Sequence, residues 1–164
     1  MRSRVYIETS IVSYLVARPS KHVVAAAWQL ITREWWDKRR GQFDLLISDA
    51  VIEEAGRGDA NAAARRLDAV ARIPVLPLDE NIQEVAAALV RDGGLPPEAS
   101  YDALHIAAAA VHEADYLLTW NCRHIDNAEK KPRMRAILRE LGYVCPEICT
   151  PSELMGDDDE RRDH

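Results

Sequence analysis

A chain of 164 residues that is 48% hydrophobic is one domain's worth of sequence and can bury a substantial single core. Its charged residues, 29% of the total, are well mixed in sign, and no apolar run reaches membrane-span length, so a soluble protein with no membrane segment is expected. The net charge of −6 and pI of about 5.4 weigh against a nucleic-acid partner judged on the whole molecule, but the last nine residues hold five acids and two arginines and account for half of that charge.

Residues 4–8 form a β-branched and aromatic run that reads as the first strand, with Glu8 at its end. That glutamate arrives before a hydrophobic stretch of signal-peptide length can form, so a cytoplasmic location is expected. Residues 9–16 have helical apolar spacing, and Ser20 is placed to cap a long helix to about residue 40, with Val24, Trp28, Ile31 and Trp35 inward and Gly41 at its end. Residues 43–48 read as a second strand, followed from Asp49 by a helix carrying Glu53 and Glu54. Asp59 is expected to cap residues 60–71, where Ala63, Leu67 and Val70 form the inward stripe. The prolines in residues 73–77 place a short strand near a sheet edge. Asp79 starts a helix to about residue 91, and residues 93–97, Gly-Gly-Leu-Pro-Pro, are the clearest loop.

Ser100 is a good N-cap residue, which would put Asp102 at the second position of an alanine-rich helix. There a negative charge is favoured by the helix dipole, so Asp102 taken alone reads as a capping residue. The apolar strand 116–118 follows and ends at Thr119-Trp120-Asn121. Residues 130–141 read as a helix ended by Gly142, then come a weak strand within 144–149 and a one-turn helix from Pro151 or Ser152. One domain over residues 1–155 with an acidic tail over 156–164 is expected.

Strands alternating with helices indicate an α/β domain with a largely parallel sheet, in which ligands gather at the carboxyl ends of the strands. Glu8 ends the first strand, Glu54 starts the second helical turn after the second strand, and Asp102 begins the helix whose following strand ends at residues 119–121, so the fold can bring them to one edge. Clustered carboxylates repel one another and are stable mainly when cations bind them or some protonate, and an all-oxygen set suits Mg²⁺ or Mn²⁺. Glu53 points about 100° away from Glu54 on a helix and reads as a solvated neighbour. His105 and His112 are seven residues apart, a packing pattern, and Trp120 reads as core, with stacking on an unpaired base as its alternative. Arg123, Lys130, Lys131, Arg133, Arg135 and Arg139 form a local basic stretch whose simplest reading is a solvated helix surface. Cys122, Cys145 and Cys149 are an odd number and read as reduced thiols; a zinc site joining them with His124 lacks the usual two-residue spacer.

In sum of motifs, Glu8-Thr9-Ser10, Glu54 within residues 51–58, Asp102-Ala-Leu-His-Ile-Ala-Ala108 and Leu118-Thr-Trp-Asn121 resemble the successive signatures of a PIN domain, most like the VapC-type branch of bacterial toxins. The resemblance implies a PIN-like three-layer α/β/α sandwich with a largely parallel central sheet, and Mg²⁺- or Mn²⁺-dependent cleavage of RNA by a toxin of a toxin–antitoxin pair. It casts Glu8 in the place of the family's first Asp, with Glu54 and Asp102 as the second and third acids. Asn121 stands nearest the fourth position, with Asp126 in the following loop as the other candidate. Thr9, Ser10, Thr119 and Trp120 are candidates for contacting substrate or supporting the acids. A small antitoxin and a homodimer are the protein partners the resemblance implies. Two rival classes remain open: a PIN module that binds RNA or a protein without turnover, and a phosphatase, which Glu8 disfavours because its extra methylene displaces an attacking carboxylate oxygen.

Overall fold

The computed structural model describes residues 1–156, so the expected acidic tail lies, but for Gly156, outside the described residues. The first strand, β1 (Arg4–Ile7), is followed by α1 (Thr9–Val16) and α2 (Val23–Lys38). Then come β2 (Asp44–Ser48), α3 (Asp49–Ala55), α4 (Ala60–Val70), β3 (Val75–Leu76) and α5 (Glu80–Gly93). The chain continues with α6 (Ser100–Val111), β4 (Tyr116–Leu118), α7 (Lys131–Glu140) and β5 (Glu147–Cys149), and a one-turn helix at Pro151–Leu154.

The five strands form one sheet in the order β3-β2-β1-β4-β5, and every pairing is parallel. Parallel strands need crossovers, which the intervening helices supply, and a strand covered on both faces reads as a nearly continuous apolar run. β1 is that strand: Val5, Tyr6 and Ile7 are fully buried between β2 and β4. α1 packs on α2, α3 and α4, while α5 packs on α6 and α7, giving the α/β/α arrangement expected. The buried alanines of α6, 107–110 with Ala103, keep it slim enough to sit close against its neighbours. Gly93 serves the same end on α5, since a Cβ there would meet Ile137 Cδ1 of α7 at 2.0 Å.

β3 is an edge strand, as the prolines imply, and Asp59 and Asp79 cap α4 and α5 by accepting from the amides of Ala62 and Ile82. Two caps differ from expectation. Ser20 accepts from the amide of His22, a local turn, and α2 begins only at Val23, with Val24 exposed and the inward stripe starting at Trp28. Ser100 is the first residue of α6 and Ala99 holds the cap position without a side-chain bond, because a one-turn helix at Pro97–Ala99 runs directly into α6. Asp102 is therefore the third helical residue rather than the second.

The order of strands fixes where a site can form. From β1 the chain steps outward through β2 and β3 on one side and through β4 and β5 on the other, so the carboxyl ends of β1 and β4 flank the switch point where parallel α/β sheets bind ligands. Glu8 and Thr119 are the first residues beyond those two ends.

Candidate functional site

Glu8 is held at the switch point from both sides. Its amide donates to the Leu118 carbonyl at 3.1 Å, and its carboxylate caps α1, Oε2 accepting the Ser10 amide at 2.6 Å. The side chain is only 4% exposed. Burial pushes its carboxyl above the usual range; His105 and the Ser10 amide act against this, and Glu54 adds to it.

Glu54 comes from the last turn of α3 and reaches the same region through Oε1, which accepts the Thr9 hydroxyl at 2.8 Å and bonds His105 Nε2. Burial alone would raise this carboxyl, but the hydrogen bond and charge of His105, with smaller help from Thr9 and Arg57, hold it below the usual range. Asp102, in the first turn of α6, is pushed up chiefly by burial and also by Glu54, and is eased by His105, His124 and a hydrogen bond from the Asn121 side chain. The fold thus brings Glu54 within electrostatic reach of both Glu8 and Asp102, and all three acids within reach of His105.

His105 is the residue the sequence reading missed. Its spacing from His112 suggests packing, and it is buried, yet it stands between the acids. Burial would lower its pKa, but the Glu54 hydrogen bond and the charges of Glu8, Glu54 and Asp102 raise it. Its other nitrogen, Nδ1, lies 2.8 Å from the Tyr6 hydroxyl, which is in turn 2.7 Å from Ser48 Oγ. The signal that could have found it is its position one helical turn after Asp102, on the same face. His112, by contrast, has a buried Nε2 without a hydrogen-bond partner and offers its backbone carbonyl to Arg4.

The remaining candidates divide clearly. Thr9 holds Glu54, and Ser10 Oγ accepts the Trp120 amide at 2.8 Å, pinning α1 to the end of β4. Thr119 Oγ1 accepts the Asn121 amide at 2.9 Å. Trp120 is core: it stacks on Trp28 with centroids 4.7 Å apart and donates from Nε1 to Thr32 Oγ1 at 2.7 Å. Asn121 Oδ1 accepts the amides of Arg123 at 3.2 Å and His124 at 3.0 Å, so its amide nitrogen is the group turned to Asp102. The oxygen that was the candidate fourth ligand is spent on the loop. Asp126 pairs with Lys131 at 2.6 Å and lies near Cys122 and Cys149. Glu53 takes the Tyr101 hydroxyl at 2.8 Å, apart from the partners of Glu54.

Of the six basic residues after Asn121, Lys131 is tied down by Asp126 and Arg133 by the Asp92 carbonyl at 2.9 Å; Lys130 Nζ lies 3.3 Å from His124 Nδ1. The three cysteines are free thiols, one exposed and one buried, as the odd count suggests.

Among the described residues, no three Asp, Glu, His or Cys side chains meet closely enough to ligate one ion directly. The chemistry of the acids still suits a hard divalent cation. Three carboxylates share one imidazole, so full ionisation of the acids leaves at least a double negative charge in a mostly buried site, and burial and the charge of Glu54 work against ionising Glu8 and Asp102. Mg²⁺ keeps several of its waters and takes only one or two carboxylates directly, so acids spaced beyond common contact still fit it.

No curated relative matches the chain by sequence. Several solved structures share its fold. The VapC20 toxin of Mycobacterium tuberculosis, described as cleaving the sarcin-ricin loop, is 17% identical, with 73% of this chain and 91% of that one covered at a TM-score of 0.56. VapBC-1 from nontypeable Haemophilus influenzae is 16% identical over 91% of this chain and 98% of that one, at 0.54. VapBC2 from Rickettsia felis, bound to a fragment of promoter DNA, is 14% identical over 90% and 98%, at 0.52. The profile of the PIN domain matches residues 5–130. That match runs from β1 to the residue before α7 and takes in all three acids and Asn121: the chain belongs to the PIN domain family.

Proposed function

We propose that this protein is a divalent-metal-dependent endoribonuclease of the VapC toxin type, acting on RNA in the cytoplasm. The observation that carries the reading is the grouping of Glu8, Glu54 and Asp102 around His105 beside the switch point of the sheet, with the Glu8 and Asp102 carboxyls pushed upward by burial and by the charge of Glu54. Family membership and the toxin fold support it.

Glu8, Glu54 and Asp102 would hold Mg²⁺ or Mn²⁺, directly or through water. A bound ion of this kind acidifies and positions a water for in-line attack and offsets charge on the phosphoryl oxygens. The protein's own groups do the positioning. Thr9 and His105 fix Glu54, Ser10 fixes Glu8, and the Asn121 amide fixes Asp102. His124 acts electrostatically on Asp102 and has Lys130 beside it, so this pair is placed to meet the RNA backbone. No side chain need act as nucleophile. On the analogy of the two VapBC structures, a small antitoxin is the partner that would cover the acids, and self-association as a homodimer is part of the same reading.

A second reading, a module that binds RNA or a protein without turnover, draws on Asn121, whose oxygen is committed to its loop and which brings no negative charge. Incubating the purified protein with total RNA separates the two. The nuclease reading requires cleavage that depends on Mn²⁺, stops on chelation and is lost in Asp102→Asn. Retention of intact RNA with or without chelator supports the second reading, and absence of both cleavage and retention overturns the first.

A further inference from the structure

The hydroxyl of Tyr6 is not explained by packing. Tyr6 sits in the middle of the central strand, fully buried, where phenylalanine would fill the same space without a polar atom to satisfy. The hydroxyl instead joins Ser48 Oγ at 2.7 Å to His105 Nδ1 at 2.8 Å. Ser48 is itself the N-cap of α3, accepting the Ala50 amide at 3.2 Å, and Glu54 stands in the last turn of that same short helix. A closed ring results: from Ser48 along α3 to Glu54, across to His105 Nε2, through Nδ1 to Tyr6, and back to Ser48.

Such a ring determines more than stability. With Nδ1 engaged by Tyr6, the imidazole is held with Nε2 toward Glu54, since the bond made by one ring nitrogen sets the role of the other. Glu54 Oε1 then carries both His105 and Thr9, while among the described residues no protein group donates a hydrogen bond to Oε2. A glutamate side chain has three torsions to lose, and this arrangement removes them before any ligand arrives.

We infer that Tyr6 and His105 are positioning residues that orient Glu54 so that one carboxylate oxygen is left for a bound cation. The inference rests on the proposed function only in taking that ligand to be a divalent metal. Partners of this kind, one bond removed from a ligand, typically contribute about 10–100-fold to metal affinity.

The test is Mn²⁺ binding by isothermal titration calorimetry, alongside the thermal unfolding of each metal-free protein. Tyr6→Phe, which keeps the ring, is expected to weaken Mn²⁺ binding about tenfold or more while remaining folded. His105→Leu should weaken it at least as much, and His105→Gln, which keeps a donor toward Glu54, should recover part of the loss. Trp35→Phe is the control, because it removes a buried bond to the Leu154 carbonyl from a ring stacked on Phe43, at the end of β2 opposite Ser48; it should lower the melting temperature and leave Mn²⁺ affinity unchanged. Wild-type affinity in Tyr6→Phe, or equal weakening in Trp35→Phe, overturns the inference and leaves the metal-site reading standing. A wild-type protein that takes up no Mn²⁺ overturns both.

Discussion

Glu8→Gln should separate the stability of this protein from its function. Glutamine has the shape of glutamate and can still accept the Ser10 amide, so the cap on α1 survives. What disappears is a buried charge that burial and Glu54 both disfavour. A carboxyl raised above its unfolded value stabilises the folded state below that value, near 4.5, and loses this contribution as pH rises through the folded value. The metal-free variant should therefore melt no lower than wild type at pH 8, with an advantage that shrinks toward pH 5. Mn²⁺ should reverse the order: at a hundred times the dissociation constant a ligand adds about 2.7 kcal/mol. For a domain of this size that raises the melting temperature by roughly 5–11 °C. Wild type should show this shift and Glu8→Gln little of it. Differential scanning calorimetry at both pH values, with chelator and with Mn²⁺, reads all four quantities. A variant that melts below wild type without metal at pH 8, or that gains as much from Mn²⁺, would refute the reasoning.

Three further outcomes follow from the same geometry. The Glu54–His105 pair has opposite shifts: the lowered Glu54 contributes stability that is lost as pH falls through its folded value, and the raised His105 contributes stability that is lost as pH rises through its own. The pair's contribution to metal-free stability should thus decline as pH falls below 4.5 and as it rises above 6.5, and the difference between wild type and His105→Gln in a pH series of denaturant melts should shrink on the alkaline side. Asp102→Asn should abolish RNA cleavage while leaving circular dichroism and melting near wild type, because the carboxylate carries no cap of α6. Trp120→Phe loses the bond to Thr32 and should cost about 1–3 kcal/mol in urea unfolding, yet leave KM for RNA unchanged because the ring is stacked on Trp28.

Most of the fold is legible in the sequence because local and global signals agree. β1 and β2 are apolar runs followed at once by helical spacing, β4 is an apolar run after the alanine-rich helix, Asp59 and Asp79 are strong caps in both sequence and structure, and the prolines around β3 mark the edge. The two misplaced caps have different causes. Ser20 and Ser100 are good capping residues by type, but Ser20 closes a local turn and Ser100 is drawn into the helix by the turn before it. Glu8 is legible from its place at the end of the first strand, and Glu54 and Asp102 from their places on the helices after β2 and before β4, which a parallel sheet carries to the same side. His105 and Tyr6 are not, since a buried histidine and a strand tyrosine look like packing until the partners of each polar atom are known. Asn121 shows the same limit at the level of atoms: the residue lies where the motif places it, but only the structure shows its oxygen committed to Arg123 and His124 and its nitrogen to Asp102.

If Glu8, Glu54 and Asp102 together form a divalent-cation site, anomalous diffraction from crystals soaked in Mn²⁺ will locate the ion. A peak is expected among these three carboxylates, nearer Oε2 of Glu54 than Oε1, and should be lost in Asp102→Asn. A peak confined to Asp126 or the cysteines, or none at all in crystals whose cleft is open to solvent, would contradict such a site.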